Sequence, residues 1–261
     1  MSFSPLNAFF ITVVIVVLAK TFAWLLQVKT RNGGLVDSVW AVTLGGLAVF
    51  YAAVGTAPPA VRLLLALMGG LWGLRLGWHL WQRNWGKPED FRYAQFRREW
   101  GDAVNARMFW FFQFQNIFTL LLSASAFIVV AYRPDAASPW ASALAVAIWF
   151  AAVIGEGIAD SQMERFRGNP AHKGQVCRDG LWRYSRHPNY FFECVHWLAY
   201  VPLAITAPQG WVTFIAPLVM AFLLVKLSGM PMLEKDLIAR KPGYADYVRS
   251  TSALIPWPPK R

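Results

Sequence analysis

The chain alternates between long apolar segments and shorter polar ones, and this pattern predicts its architecture. The predominantly apolar segments are 7–27, 35–55, 60–81, 108–131, 138–158, 190–207 and 211–229. Their lengths are close to the ~20 residues that an α-helix needs to cross roughly 30 Å of hydrocarbon. We therefore predict an all-α, polytopic membrane protein with about seven transmembrane helices, forming a single domain over 1–261.

Composition and charge add an orientation to this prediction. Hydrophobic residues make up 56% of the chain and charged residues only 15%, which excludes a disordered protein. Of the 25 Lys and Arg, 20 lie in polar segments that share one face, against two on the other, which places the N-terminus outside and the C-terminus in the cytosol. The location would be an integral, multi-pass one, in the inner membrane if the source is bacterial. The net charge of +11 then reflects topology and anionic lipid, so we expect no nucleic acid partner.

Ionisable residues inside or at the ends of spans are costly and indicate function. Carboxylates stand at the predicted cytosolic ends of three spans, namely Asp37, Glu156, Asp160 and Glu193. Arg75 lies about two turns inside the third span, roughly 10 Å deep. Lys20 is deeper, and either pairs with Asp37 or extends toward the surface. A ligand that enters from the cytosol is the simplest explanation for this layer of charges.

Two other features of the spans have open interpretations. Gly45-Gly46 and Gly69-Gly70 predict close contacts between helices, or a widened lipid-accessible pocket. Gln113 and Asn116 form helix–helix hydrogen bonds or line a substrate pocket. With four His and no CxxC or HExxH pattern, we expect no metal site.

The segment from 156 to 193 has the residue types that a nucleotide cofactor requires. Asp160 and Arg167 are seven positions apart and share a helix face, where a carboxylate suits ribose hydroxyls and a guanidinium suits phosphate. Arg186 and His187 precede Pro188, at a helix start whose free N–H groups also favour phosphate. Asn189 and Glu193, four apart, offer a donor and an acceptor to a carboxamide such as that of nicotinamide.

At these residues the sequence resembles the membrane steroid 5α-reductase family, including its bacterial members. The shared pattern consists of Asp160, Arg167, Gly180-Leu181-Trp182, Asn189, Glu193, Tyr244-Ala245-Asp246-Tyr247 and Ala253-Leu254-Ile255-Pro256. In the first half the resemblance is weaker, and it rests on Asp37, Trp40, Arg75 and the segment Glu89-Asp90-Phe91-Arg92-Tyr93.

The resemblance implies NADPH bound at the cytosolic side within 156–261, and reduction of the C4–C5 double bond of a 3-oxo-Δ4 steroid or another lipid-soluble enone. The residues assigned to the cofactor are Glu156, Asp160, Arg167, Lys173, Trp182, Tyr184, Arg186, His187, Asn189, Glu193, Tyr244 and Tyr247. Those assigned to the substrate are Trp40, Trp72, Gln113 and Asn116.

Catalysis in this family uses a glutamate and a tyrosine to hold the carbonyl oxygen of the substrate. Asp37 matches the glutamate and is expected to donate to the enolate oxygen in its protonated form, with Arg75 as a second candidate. The tyrosine of the third span has no counterpart, because Trp72, Gly73 and Trp78 surround Arg75. Alternatively, Asp37 pairs with Arg75 or Lys20 and only fixes helix packing.

A second family also shares part of the pattern. Arg186-His187-Pro188, Tyr190 and Glu193, with the ending after Tyr244, resemble isoprenylcysteine carboxyl methyltransferases. These imply S-adenosylmethionine as the cofactor and methyl transfer as the reaction. Asp160 with Arg167, and Asp37 in the second span, favour reduction. A transporter or scaffold is disfavoured, because the polar residues cluster at one end of the spans and form no path across the membrane.

Overall fold

A computed structural model describes residues 3–227 and 229–260. Within these residues the chain is helical and contains no β-strand, apart from an isolated β-bridge between Ser185 and Ser252. The helices are α1 (Pro5–Thr30), α2 (Leu35–Val54), α3 (Pro59–Asn84), α4 (Phe91–Trp100), α5 (Val104–Phe114), α6 (Asn116–Leu122), α7 (Val129–Ala131), α8 (Pro139–Gly168), α9 (Pro188–Leu198), α10 (Val201–Ala204), α11 (Ile215–Phe222), α12 (Met230–Arg240) and α13 (Tyr244–Ser250). π-Helical turns cover Ser123–Ile128 and Leu223–Leu227. The prediction of an all-α fold is confirmed.

Six helical segments in the described part of the chain are long and apolar enough to cross a membrane. They are Pro5–Thr30, Leu35–Val54, Pro59–Asn84, Phe91–Ala131, Pro139–Gly168 and Gly210–Arg240. These indicate an integral, multi-pass membrane protein, as predicted. The orientation of the termini stays a prediction.

The predicted span over 190–207 differs from the structure, because its helix is interrupted. α9 ends at Leu198 and α10 begins only at Val201. Pro202 has no N–H to donate to a carbonyl one turn earlier, and its ring crowds the preceding turn, so a continuous helix is disfavoured there. The break explains why six such segments are found where hydropathy alone predicts about seven.

The chain forms two compact units, of which the first contains Met1–Ser142 and Tyr200–Ala216. Its helices α2 and α3 pack backbone against backbone through small residues. A Cβ on Gly73 would lie 2.6 Å from the Cα of Gly45, and one on Gly69 would lie 2.2 Å from the Cβ of Ala48. The close contact predicted at Gly45 and Gly69 is therefore present, whereas a Cβ on Gly46 would have nothing within 4 Å.

The second unit contains Ala143–Ala199 and Pro217–Arg261. α9 packs on α8 where the ring of Phe192 lies over Gly155, at 2.3 Å from the position that a Cβ would take. The segment after α8 is fastened by Trp182, whose indole N–H donates to the carbonyl of Ala159 at 2.9 Å. That the two units act as one domain stays a prediction.

Candidate functional site

In the first unit, Asp37 is the centre of a polar cluster at the start of α2. Its Oδ2 accepts a hydrogen bond from Arg92 Nη2 at 2.9 Å, and its Oδ1 accepts one from the Tyr93 hydroxyl at 3.2 Å. The side chains of Asp37 and Arg92 remain 30% and 21% exposed. The Tyr93 ring, by contrast, is buried and packs edge-on against Phe112.

Asp90 explains why the chain brings Arg92 and Tyr93 to this position. It is the N-cap of α4, accepting from the Arg92 backbone N–H at 3.1 Å, and its carboxylate also accepts from Arg92 Nε at 2.9 Å. Burial alone would raise the pKa of Asp90, but the charge and hydrogen bonds of Arg92, with Arg83 nearby, outweigh burial and lower it. Arg92 therefore bridges two carboxylates, one from its own loop and one from α2.

A third carboxylate, Glu89, fixes the turn that leads into α2. Its Oε1 accepts from the Gly33 N–H at 2.7 Å, and both of its oxygens accept from Arg97 at 2.8 and 3.0 Å. Arg97 also donates to Gln27 of α1 at 3.2 Å. The loop 31–34 is thus tied to α4, which restricts where Asp37 can point.

The other residues predicted in this unit have distinct surroundings. Lys20 is buried and donates to Gln115 Oε1 at 2.7 Å, so its described hydrogen-bond partner is an amide and not Asp37. Gln113 Nε2 donates to Thr21 Oγ1 of α1 at 3.1 Å, which is a hydrogen bond between helices, while Asn116 Nδ2 donates to Gln113 Oε1 at 2.9 Å within one span. Contact of either amide with a substrate stays a prediction. Arg75 is half-buried on α3 and has interactions of its own.

Two predicted substrate residues of this unit form an aromatic pair. The indoles of Trp40 and Trp72 meet edge-on at 6.2 Å between ring centroids, and Trp72 is fully buried. Trp72 therefore supports the α2–α3 packing, whereas Trp40 is half-buried. Contact of either indole with a substrate stays a prediction.

Sequence reasoning missed Tyr93 and Arg92 as members of the Asp37 cluster. Both lie more than fifty positions after Asp37, in a segment whose sequence shows only the resemblance to the reductase family. The available signal was an Asp followed two and three positions later by Arg and Tyr, directly at a helix start. Such a capping Asp orients the next turn and therefore fixes the direction of the following side chains.

In the second unit, the structure brings together several of the predicted cofactor residues. Glu156 and Asp160 are one turn apart on α8, and Asn189 and Glu193 are one turn apart on α9. Asn189 Nδ2 lies 3.4 Å from Asp160 Oδ1, which links the two helices. Glu193 is 6% exposed and accepts from the Trp197 indole N–H at 3.0 Å, so its carboxylate is held at a fixed position.

Arg186 and His187 are buried and bind a carboxylate of α12. Glu234 accepts from Arg186 Nε at 2.7 Å, and His187 Nε2 lies 2.8 Å from the same Glu234 oxygen. Arg186 also donates to the backbone carbonyls of Val248 at 2.9 Å and Thr251 at 2.5 Å. These contacts give Arg186 a structural role in holding the C-terminal segment, and its predicted contact with a phosphate stays a prediction.

The remaining cofactor candidates divide into buried and exposed ones. Tyr247 is buried, and its hydroxyl donates to the carbonyls of Trp182 and Ser185. Tyr244 is buried beside it, with ring centroids 5.6 Å apart, and burial raises the pKa of both hydroxyls. The exposed candidates, available to a ligand from solvent, are Arg167, Lys173 and Tyr184.

Binding of a nucleotide by this set of side chains stays a prediction, and their chemistry is the basis for it. Asp160 and Asn189 are half-buried, and present one carboxylate and one amide, which match hydroxyl and carboxamide groups. Arg167 is exposed, seven positions after Asp160 on the same helix, and a guanidinium suits a phosphate. Among the described residues, no group of three or more His, Cys, Asp or Glu is arranged to hold a metal ion.

Comparisons with known proteins identify relatives of the chain but no assigned activity. Residues 23–251 match the family described as "Protein of unknown function (DUF1295)". The chain is also similar to a Schizosaccharomyces pombe protein named "Uncharacterized protein C594.04c", at 24% identity over 238 residues, covering 80% of this chain and 69% of that protein. No solved structure matches the chain.

Proposed function

Because the chain belongs to the DUF1295 family, which includes membrane proteins similar to steroid 5α-reductases, we propose that it is an NADPH-dependent reductase of a lipid-soluble enone. The substrate class is a 3-oxo-Δ4 steroid or a lipid with the same conjugated carbonyl. The reaction adds a hydride to the β-carbon and a proton to the carbonyl oxygen, which gives an enol. The enol then gains a proton at the α-carbon and loses the one on oxygen, so that the carbonyl is restored and the former double bond is reduced.

The observation that carries the proposal is the hydrogen bond of the Tyr93 hydroxyl to Asp37, at 3.2 Å. Reduction of an enone requires a group that donates to the carbonyl oxygen as negative charge develops there. The carboxylate of Asp37 is paired with Arg92 and acts as an acceptor, so the donor must be a neighbouring group. Tyr93 carries the only hydroxyl among the described contacts of Asp37, and it therefore takes the role for which the third span has no tyrosine.

In this mechanism each residue of the cluster has one task. Tyr93 turns its O–H from Asp37 toward the carbonyl oxygen and donates the proton. Asp37 orients the hydroxyl beforehand, and Arg92 balances the negative charge of the carboxylate. The buried packing of the Tyr93 ring keeps the hydroxyl in place, so that little reorganisation is needed during the reaction. When the enol returns to the ketone, its O–H proton goes back to Tyr93, and solvent supplies the proton that the α-carbon gains.

The second unit would hold the dinucleotide through its own residues. Asp160 accepts from ribose hydroxyls, Asn189 and Glu193 bind the carboxamide, and Arg167 binds a phosphate. The nicotinamide supplies a hydride when it is bound. We propose that this unit faces the cytosol, where the cofactor is found, in agreement with the distribution of Lys and Arg.

The test uses the full chain in lipid nanodiscs, with NADPH and a 3-oxo-Δ4 steroid. Tyr93→Phe removes one hydroxyl and keeps the ring, so we expect turnover to fall by about 10²–10⁴-fold, the usual contribution of a general acid. Cofactor affinity and the unfolding temperature should change little. Asp37→Asn, which keeps the size of the side chain, should lower turnover in the same assay.

The matched control is Tyr51→Phe, which removes a buried hydroxyl from the same unit. Tyr51 accepts from Thr12 at 2.6 Å on the neighbouring helix and has no role in the mechanism. Its loss should leave turnover within about twofold once the fraction of folded protein is taken into account. If Tyr93→Phe and Tyr51→Phe turn over equally well, Tyr93 is not the proton donor.

Methyl transfer is the competing function, and cofactor binding separates it from reduction. A reductase is stabilised against heat by NADPH, because a ligand that binds only the folded state raises the unfolding temperature. A methyltransferase is stabilised by S-adenosylmethionine instead. Stabilisation by the methyl donor alone would reverse the assignment.

A further inference from the structure

A surface depression of about 480 Å³ lies in the second unit, between the turn after α8 and the turn before α13. Its lining residues are Lys173, Gly174, Gln175, Val176, Arg178, Pro242 and Gly243. Two of them are cationic and none carries a carboxylate. The depression is therefore lined by positive charge that no acidic residue among its walls balances.

Arg178 is held in a fixed orientation at the edge of this depression. Its guanidinium lies 5.4 Å from the centre of the Tyr247 ring, and its Nη2 donates to the Gly243 carbonyl at 3.3 Å. A guanidinium has five N–H donors, so several remain for another partner. Stacking on the ring lowers the entropy lost when the group binds an anion.

Lys241 adds a third cation behind the lining residues. Its Nζ donates to the Gln175 carbonyl at 2.7 Å, which joins the two turns. Burial, and then the charges of Arg167 and Arg240, lower the pKa of Lys241. Cations therefore repel one another at this location, and a bound anion would relieve the repulsion.

The two glycines in the walls keep the depression open. Gly174 and Gly243 have φ values of +80° and +79°, a left-handed conformation that side chains rarely adopt. A Cβ on either would meet no atom within 4 Å, so these positions are free of covering groups. A ligand can consequently approach the backbone of both turns.

We propose that this depression binds the dianionic phosphate of a phosphomonoester through Lys173 and Arg178. The charge of Lys241 adds to the positive electrostatic potential of the depression. The natural source of this phosphate is the 2′-phosphate that distinguishes NADPH from NADH, an identification that rests on the proposed function. The headgroup of phosphatidic acid has the same chemistry and is the other source. The site itself requires only the phosphate.

The experiment compares pairs of probes that differ in one phosphate, by equilibrium binding to the full chain in detergent. The pairs are adenosine 2′-phosphate against adenosine, and short-chain phosphatidic acid against phosphatidylcholine. We expect one phosphate-bearing probe to bind at least about tenfold more tightly than its partner, as expected for charge-assisted hydrogen bonds. Which pair shows the difference identifies the source.

Two variants connect this preference to the depression. Lys173→Ala removes an exposed side chain and should reduce the preference severalfold, while Lys173→Ala with Arg178→Gln should abolish it. The control Lys235→Ala removes an exposed lysine of the same unit from outside the lining and should change nothing. A preference that survives the double variant, or equal binding within both pairs, would overturn the proposal.

The outcomes also separate this proposal from the proposed function. If the double variant uses NADPH and NADH equally well, the phosphate site and the reductase are both supported. If no dinucleotide binds but phosphatidic acid binds in a Lys173-dependent manner, the site stands and the reductase assignment fails. If NADPH is still preferred over NADH by the double variant, the reductase stands and the depression is not its phosphate site.

Discussion

Two clusters of arginine and carboxylate, one in each unit, use the same groups in different ways. Arg186 is 9% exposed and directs its guanidinium to Glu234 and to two backbone carbonyls. Arg92 is 21% exposed, and its described acceptors are two carboxylates, one of which also accepts the Tyr93 hydroxyl. The first cluster ties chain segments together, whereas the second holds a proton-bearing side chain beside charges.

The difference shows how contacts separate structural from chemical roles. An arginine whose N–H groups donate to backbone carbonyls stabilises one conformation of the chain, because those hydrogen bonds are lost when the segment that carries the carbonyls unfolds. A cluster that consists of side chains and keeps partial exposure can exchange one partner for a substrate. Of the predictions below, one removes a member of the first cluster, one removes a member of the second, and one removes Arg167, which belongs to neither and reports on ligand binding.

The largest effect on folding is expected from Arg186→Met. Removing the guanidinium leaves two backbone carbonyls without this donor and Glu234 with the His187 contact, and breaking a buried ion pair costs about 3–5 kcal/mol. We expect a lower unfolding temperature, and faster proteolysis of the segment after Gly243, measured by limited digestion in detergent. Arg183→Met, which removes an exposed arginine three residues earlier, is the control. Equal stability of the two variants would show that Arg186 is not structural.

A smaller effect, on ligand binding alone, is expected from Arg167→Ala. If Arg167 donates to a phosphate, its loss weakens NADPH binding by about 1.5–3 kcal/mol, the value of a hydrogen bond to a charged group. Arg165→Ala removes a neighbouring exposed arginine whose Nε donates to the Ser161 carbonyl at 3.3 Å, and should bind normally. Direct titration measures both. Unchanged affinity in Arg167→Ala would remove this residue from the cofactor site.

The smallest effect concerns Asp90 and the pH dependence of stability. Because the folded pKa of Asp90 is lowered, its contribution is present above the unfolded value of about 3.9 and is lost as pH falls through the folded value. Asp90→Asn keeps the helix cap and should flatten the loss of stability in acid. Asp90→Ala should cost about 1 kcal/mol more at neutral pH, because it also removes the cap.

Thermal unfolding in detergent between pH 6 and the lowest pH at which the protein stays soluble would measure this. An Asp90→Asn variant with the same acid profile as the unaltered chain would show that the carboxylate contributes nothing to the pH dependence. This test measures how far the Arg92 cluster contributes to stability, because Asp90 is the group that directs Arg92 toward Asp37.

Hydrophobic length predicted most of the fold, and it failed at one of the predicted spans. Five of the predicted spans coincide with long helices because ~20 apolar residues leave few alternatives in a membrane, and the span at 211–229 falls within Gly210–Arg240. The span at 190–207 is interrupted at a proline, which the apolar count does not register. Gly45 and Gly69 were recognised because close packing of helices requires small residues.

The candidate sites were predictable only as far as their residues are close in sequence. Helical periodicity predicts that Asp160 shares a face of α8 with Arg167, and that Asn189 shares a face of α9 with Glu193. The hydrogen bond between Asn189 and Asp160 then links the two helices. The buried role of Arg186 depends on Glu234, which is 48 positions later, and the partner of Asp37 is 55 positions later. Such pairings arise from tertiary packing, and a single sequence contains no measure of them.

The most direct test of the reductase assignment follows deuterium from the cofactor to the substrate. The chain in nanodiscs is supplied with NADPH deuterated at the transferable position of the nicotinamide and with a 3-oxo-Δ4 steroid, and the product is analysed by mass spectrometry. We predict one deuterium at the former β-carbon, and a strong loss of labelled product in Tyr93→Phe but not in Tyr51→Phe. An unlabelled and unreduced steroid, with stabilisation of the chain by S-adenosylmethionine alone, would contradict the account.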